Sequence, residues 1–226
     1  MATSNEDNKL LTPEESINKD ITINKDITIN ILTRSGNRPT YFKALKNSIL
    51  TQTYQHIRHI ISNDNPNCNY LTDEKDVYAV IKSPSLGYGF YNLYLNELAN
   101  QVKDGWVIIL DDDSKIIDNT FIEKLAEICS TSNENDVLIY QTYIWPNKRI
   151  IPSPQEVIDK TIAICRIDMT CFCVHYSIFN NIKFRSIRGG DFYFLDDVRN
   201  SKKYNFKFVD IPRGIWGNYD GPKDGK

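Results

Sequence analysis

The chain has 226 residues, 41% hydrophobic and 25% charged, enough for one full-sized domain with a small appendage. Its 27 basic and 29 acidic residues leave a formal charge of −2, which argues against gripping nucleic acid or an anionic membrane, since both call for a basic face. No apolar run approaches the ~20 residues of a spanning helix. The N-terminus, MATSNEDNKL, lacks the apolar core of a secretory signal, so a cytoplasmic chain without a transmembrane segment is expected.

Residues 17–22 and 23–28 both read INKDIT, a duplication too short to build a solenoid. Residues 1–26 are therefore expected to be a low-complexity leader, or an extra edge strand at most. From residue 27 strand-like and helix-like patterns alternate. Ile27 to Thr33 is β-branched and compact, a strand. Ser35-Gly36-Asn37 is a turn, and Pro39 opens a helix with Phe42, Leu45 and Ile49 on its apolar face. HIRHIIS is a second strand ending at Ser62-Asn63-Asp64-Asn65-Pro66, and Val77 to Ile81 is a third. Tyr91, Leu95, Leu98 and Val102 mark the inner face of another helix, with Gly105 as its C-terminal stop. Trp106 to Leu110 is almost wholly apolar, as a central strand covered on both faces should be. A helix carrying Phe121, Ile122, Leu125, Ala126 and Cys129 precedes a strand from Val137 to Tyr140. This order implies an α/β fold with a mainly parallel sheet flanked by helices. Beyond residue 141 the pattern loosens to short strands near 171–175 and 206–211 around a helix beginning near Phe192.

Five cysteines, an odd number with no C-x-x-C pair, exclude a disulfide framework or thiolate zinc site as the organising feature. Cys171 and Cys173 are read as small buried residues sharing one face of a strand.

The strongest chemical signal is WVIILDDDS. In parallel α/β sheets ligands bind just beyond the carboxyl ends of strands. Three adjacent carboxylates there repel one another unless a cation or basic side chains neutralise them. Oxygen ligands of this kind suit Mg²⁺ or Mn²⁺, which take one or two carboxylates and leave positions for water and phosphate. The plainer reading is an acidic turn with Asp113 or Ser114 capping the next helix. Asp64 is either an Asx-turn residue or a ligand-binding acid. In Arg188-Gly189-Gly190-Asp191 the glycines allow close backbone approach, and Asp191 either caps the following helix or faces a cleft. Tyr143, Trp145 and Trp216 are core aromatics or a platform for a sugar ring.

Taken in order, ILTRSGNRPTYFKALKNSILTQTYQHIRHIISND, WVIILDDDS and GGDFYFLDD make residues 27 to about 212 resemble family 2 glycosyltransferases of the GT-A fold. The first resembles the family's opening strand, the helix carrying Ser-Ile and the Gln-Thr-Tyr that follows; the second resembles its D-x-D metal motif; the third resembles its later acidic motif. The resemblance implies one GT-A domain over 27–226, with a nucleotide-sugar half of about 27–115 and an acceptor half of about 116–226. It implies that Thr33 and Arg34 line the nucleotide pocket, Asp64 bonds the base, and Asp111 and Asp112 lie near ribose and diphosphate. It further implies that Asp113, with Asp111, holds Mn²⁺ or Mg²⁺, that Asp191 is the general base, and that a UDP-sugar is the donor in an inverting transfer. The chain has Asn63-Asp64 and Gly190-Asp191 where the family often has paired acids, and it lacks the basic C-terminal motifs of processive members. Two rival expectations are a haloacid-dehalogenase-like phosphatase using Asp111 and Asp113, and a degenerate sugar-nucleotide-binding module.

Overall fold

The computed structural model describes residues 27–63, 69–79, 89 and 91–217. The expected leader at 1–26, together with Asp64, Cys68, Val80 and Ile81, lies outside the described residues. Strand β1 (Ile29–Ser35) leads through a turn to helix α1 (Pro39–Leu50) and strand β2 (Ile57–Asn63). Then come β3 (Val77–Ala79), α2 (Asn92–Ala99), β4 (Trp106–Ile109), the two-residue β5 (Lys115–Ile116), α3 (Phe121–Ser130) and β6 (Asp136–Ile139). The second half adds β7 (Thr142–Ile144), β8 (Arg149–Ile151), α4 (Pro154–Ile158), β9 (Phe172–His175), α5 (Gly190–Asn200), β10 (Asn205–Phe208) and β11 (Ile215–Gly217).

Seven strands form the main sheet in the order β10-β6-β9-β4-β1-β2-β3. Every pairing is parallel except those of β9, which runs antiparallel to both β4 and β6. The chain steps outward from β1 to β2 and β3, then returns to place β4 on the other side of β1. That reversal opens a crevice beyond the carboxyl ends of β1 and β4, the place where open α/β sheets bind ligands.

Alternation along the strands sorts the core into two layers. Ile29, Ile31, Trp106 and Ile108 face α1 and α3, and the stripe Phe121, Ile122, Leu125, Ala126 and Cys129 is buried there as its spacing predicts. Leu32, Val107 and Ile109 face the opposite side, under Leu95 and Leu98 of α2 and Phe194, Leu195 and Val198 of α5. The sheet is thus sandwiched between helices on both faces.

Three expectations need correction. Gly105 does not end α2, which stops at Ala99 with Asn100 as its cap. Instead Gly105 takes φ +77 in the turn entering β4, where a Cβ would sit 2.1 Å from the Thr28 carbonyl oxygen. Gly105→Ala combines a left-handed backbone with that clash, so a loss of about 1–3 kcal/mol is expected, read as a lower midpoint in urea unfolding. Tyr91 lies before α2 and is 37% exposed, so it is not on the inner face with Leu95 and Leu98. Cys171 and Cys173 do not share a strand face. Cys171 closes a 3₁₀ turn (Met169–Cys171) and packs in one layer, whereas Cys173 lies on β9 in the other, its sulfur 4.0 Å from that of Cys129.

The loosened pattern beyond residue 141 has a structural cause. A second sheet, β5-β11-β7-β8, is built from strands of two or three residues drawn from distant parts of the chain. It lies beside the loop that follows β4. No described helix is long and apolar enough to cross a membrane.

Candidate active site

The site begins with the backbone at the ends of β1 and β4. Leu110 N–H donates to the Leu32 carbonyl at 3.0 Å, and Asp112 N–H donates to that of Arg34 at 3.3 Å, so the ladder carries the acidic triplet just past the sheet. The Thr33 hydroxyl, fully buried, donates to the Leu110 carbonyl at 2.7 Å. Thr33 therefore ties the two strand ends together and does not itself line the crevice.

Each acid of the triplet is oriented differently. Asp111 receives a two-pronged bond from Arg34: Nε donates to Oδ1 at 2.7 Å and Nη2 to Oδ2. Arg34 is in turn fixed by Asn92 Oδ1 at 3.0 Å and stacks over the Tyr91 ring at 4.9 Å. Asp112 is wholly buried; its Oδ2 accepts from Gly36 N–H at 2.9 Å and its Oδ1 from Arg38 Nη2. Burial is the larger influence and pushes the Asp112 carboxyl up to about 7 against the pull of Arg38. Asp113 accepts from Arg38 Nη1 at 2.7 Å through Oδ2. Burial, then the charge of Asp111, raises Asp113 above the usual carboxylate range. The repulsion expected among three neighbouring acids is thus met by two arginines, one on β1 and one at the start of α1.

The turn after the triplet is held by residues of the Ser-Ile and Gln-Thr segment. Ser48 Oγ accepts from Ile116 N–H at 3.1 Å, and Gln52 Oε1 accepts from Ile122 N–H at 3.1 Å, capping α3 from a distance. Neither Asp113 nor Ser114 caps a helix directly; α3 starts at Phe121, after Thr120.

A cavity of about 480 Å³ opens beside Arg34 and Asp111 and extends to Asp168, Arg188 and Asp191. A smaller one of about 220 Å³, reaching Gly36 and Arg38, shares Arg34, Tyr91 and Asp111 with it. The larger one fits the range of small-molecule sites. Asp191 lies in the first turn of α5, where the helix dipole favours a carboxylate. The N-cap is Gly189, at φ +75, so Asp191 is not the cap. Its Oδ1 accepts from Phe192 N–H at 2.8 Å. Burial, then the charge of Asp168, pushes Asp191 up to about 6. The glycine before it serves packing: a Cβ on Gly190 would sit 2.2 Å from Asn92 Nδ2, and Asn92 holds Arg34.

Asp168 was not singled out in the sequence, yet it lines the same cavity. Its Oδ1 accepts from Thr170 N–H at 3.0 Å and Thr170 Oγ1 at 2.8 Å. Burial raises it, and those bonds pull the other way. The one available signal is Asp-Met-Thr, an acid two residues before a hydroxyl, directly ahead of an apolar strand. Asp196 and Asp197 behave as locally paired acids, on Asn200 and Arg185 respectively. Asp64 lies outside the described residues. Of the remaining sequence candidates, Arg34, Asp111 and Asp191 line one cavity, and Asp113 is bonded to Arg38, which lines the smaller one.

Among the described residues no three His, Cys, Asp or Glu side chains form a ready cage for a metal ion. The donor set nevertheless suits a hard dication that keeps open positions, because several carboxylates crowd here and Asp113 is engaged through one oxygen only. Asp111, the nucleophile required by the phosphatase reading, has both oxygens on Arg34.

A three-layer α/β fold whose acidic loop lies at the sheet's topological switch point is the GT-A architecture, and solved structures bear this out. Residues 1–349 of S. aureus TarS superpose with TM-score 0.62 at 13% identity, covering 84% of this chain and 60% of that one. The same protein in complex with UDP-GlcNAc gives 0.59 at 12% identity, with 87% and 60% covered. Mannosyltransferase PcManGT from Pyrobaculum calidifontis, in complex with GDP-Man and Mn²⁺, gives 0.59 at 10% identity, with 91% and 61% covered. The chain thus spans about three fifths of the length of these structures, and the likeness is one of fold. No protein-family model and no curated protein sequence matches the chain.

Proposed function

We propose that this chain is a glycosyltransferase that moves a sugar from a nucleotide-sugar donor, a UDP-sugar, to an acceptor hydroxyl with inversion. One observation carries the reading. A carboxylate raised to about 6, Asp191, shares a cavity with an arginine-clamped acidic loop at the switch point of a GT-A sheet. Structural neighbours with UDP-GlcNAc or GDP-Man bound on the same fold support it.

In this reading Asp113, with Asp111 nearby, would hold Mn²⁺ or Mg²⁺. Such an ion neutralises charge on the departing diphosphate. Arg34, fixed by Asp111, Asn92 and Tyr91, presents a rigid cationic wall to the nucleotide side of the cavity. Thr33 and Asp112, both buried, act by holding the loop in place, and Asp64 would bond the base. Asp191 accepts the proton of the acceptor hydroxyl as its oxygen bonds the anomeric carbon and the carbon–diphosphate bond breaks on the opposite face. A group near 6 is mostly ionised at neutral pH and still basic enough to take that proton.

A panel of nucleotide sugars with and without Mn²⁺, read by thermal shift and donor hydrolysis, tests the proposal. Mn²⁺-dependent stabilisation by one UDP-sugar is expected. Indifference to every donor would overturn it. Trapping with beryllofluoride is expected to leave the protein unchanged, whereas a phosphatase using Asp111 would respond.

A further inference from the structure

The two arginines that neutralise the acidic triplet are built differently. Arg34 is only 13% exposed and is held on three sides, by Asp111, Asn92 and Tyr91. Arg38 is 39% exposed, sits at the N-cap of α1, and spans two carboxylates, with Nη2 on Asp112 and Nη1 on Asp113 Oδ2. It also lines the smaller cavity that joins the main one through Arg34, Tyr91 and Asp111. A hard cation bound through Asp113 needs a carboxylate oxygen at short range. The Nη1 group already occupies one such oxygen at 2.7 Å and would repel a dication beside it.

From this geometry we infer that Arg38 is a built-in competitor for the cation: it holds Asp113 while the site is empty and yields it when a diphosphate offers the guanidinium another anionic partner. The inference rests on the transferase reading and adds an order to it. The exchange is electrically reasonable, because a guanidinium binds carboxylate and phosphate oxygens with the same fork geometry. Asp112 also accepts the Gly36 N–H at 2.9 Å, an anchor for the loop that does not depend on Arg38. Arg34 cannot play this part, since its bonds are consumed within a packed cluster. The consequence is coupling: the cation binds weakly alone and more tightly with nucleotide, and by linkage the nucleotide gains equally from the cation.

Mn²⁺ binding followed by electron paramagnetic resonance, with and without UDP, tests this without any turnover. Arg38→Gln is expected to tighten Mn²⁺ about tenfold in the absence of UDP and to shrink the further gain that UDP brings to the wild type. The double variant Arg38→Gln/Asp113→Asn is expected to lose the tightening. Should thermal unfolding show that Arg38→Gln does not fold, Arg38→Lys serves in its place. Its ammonium keeps the positive charge but lacks the planar fork that spans Asp112 and Asp113, so it should give an intermediate affinity. If wild type binds Mn²⁺ with UDP and neither Arg38 variant binds it more tightly, the competition is overturned while the transferase reading stands. If no variant binds Mn²⁺ with or without UDP, both fall.

Discussion

Asp191→Asn will lower turnover by about 10²–10⁴-fold while leaving donor affinity within a few-fold of wild type. The amide keeps the size of the side chain and can still accept from Phe192 N–H, now at 2.8 Å, so the start of α5 stays in place. What is lost is the ability to take a proton. Steady-state kinetics with titration of the nucleotide separates the two effects: a fall in kcat with little change in donor binding marks a base, whereas a parallel loss of both marks a structural role. The pH profile supplies a second readout. With Asp191 up at about 6, kcat/KM is expected to fall as pH drops through 6, because the protonated carboxyl cannot accept the hydroxyl proton. A fully active Asp191→Asn enzyme would sink the assignment.

Much of this site was legible because the elements that build it are long and regular. WVIILDDDS places its acids by pattern alone: an apolar strand buried on both faces must be central, and whatever follows it lies at the sheet's carboxyl edge. Arg34 follows the same logic at the end of β1. The arginine partners were less accessible, since nothing in the sequence pairs Arg38 with acids 74 and 75 residues away. Asp168 was missed for a related reason. It precedes a 3₁₀ turn entering β9, the strand that runs antiparallel in the main sheet, and reaches the cavity because β9 inserts between β4 and β6. The second sheet was invisible because strands of two or three residues carry no alternation to read, and β5 meets β11 across about a hundred residues.

The contrast between Ser48 and Gln52, on one hand, and Asp191, on the other, separates what holds the site from what acts in it. Ser48 and Gln52 spend their side chains on backbone N–H groups of β5 and α3. They steer the segment leaving Asp113 without touching the cavity. Gly190 belongs with them, because its missing Cβ makes room for the Asn92 side chain that steadies Arg34. A segment that carries a family resemblance can therefore mark the scaffold of a site as readily as its chemistry.

His59→Phe will leave stability near neutral pH within about 1 kcal/mol of wild type and make the protein roughly 3 kcal/mol more resistant to unfolding at pH 4.5. His59 sits on β2 under α1, stacked against Phe42 at 5.9 Å. Its Nε2 lies 2.9 Å from Thr33 Oγ1, whose proton is already given to the Leu110 carbonyl, so Nε2 must be the protonated nitrogen. That leaves Nδ1 as a buried acceptor with no hydrogen-bond partner. Burial, then the nearby Lys46 charge, lowers the imidazole from 6.5 to about 3. Below pH 6.5 the unfolded chain takes up a proton that the folded chain refuses, so stability from this residue falls as pH drops from 6.5 toward 3, by about 1.4 kcal/mol per pH unit. The Asp112 carboxyl works in the opposite sense. Raised to about 7, it binds its proton more readily folded than unfolded, and its contribution improves as pH falls from 7 toward 4. The two effects offset each other in the wild type, and the His59 variant exposes one of them. Phe keeps the stacking and removes both the orphaned nitrogen and its titration. Urea unfolding of the two proteins at pH 7 and 4.5 checks the claim: curves separated by the same amount at both values would show that His59 stays out of the acid response.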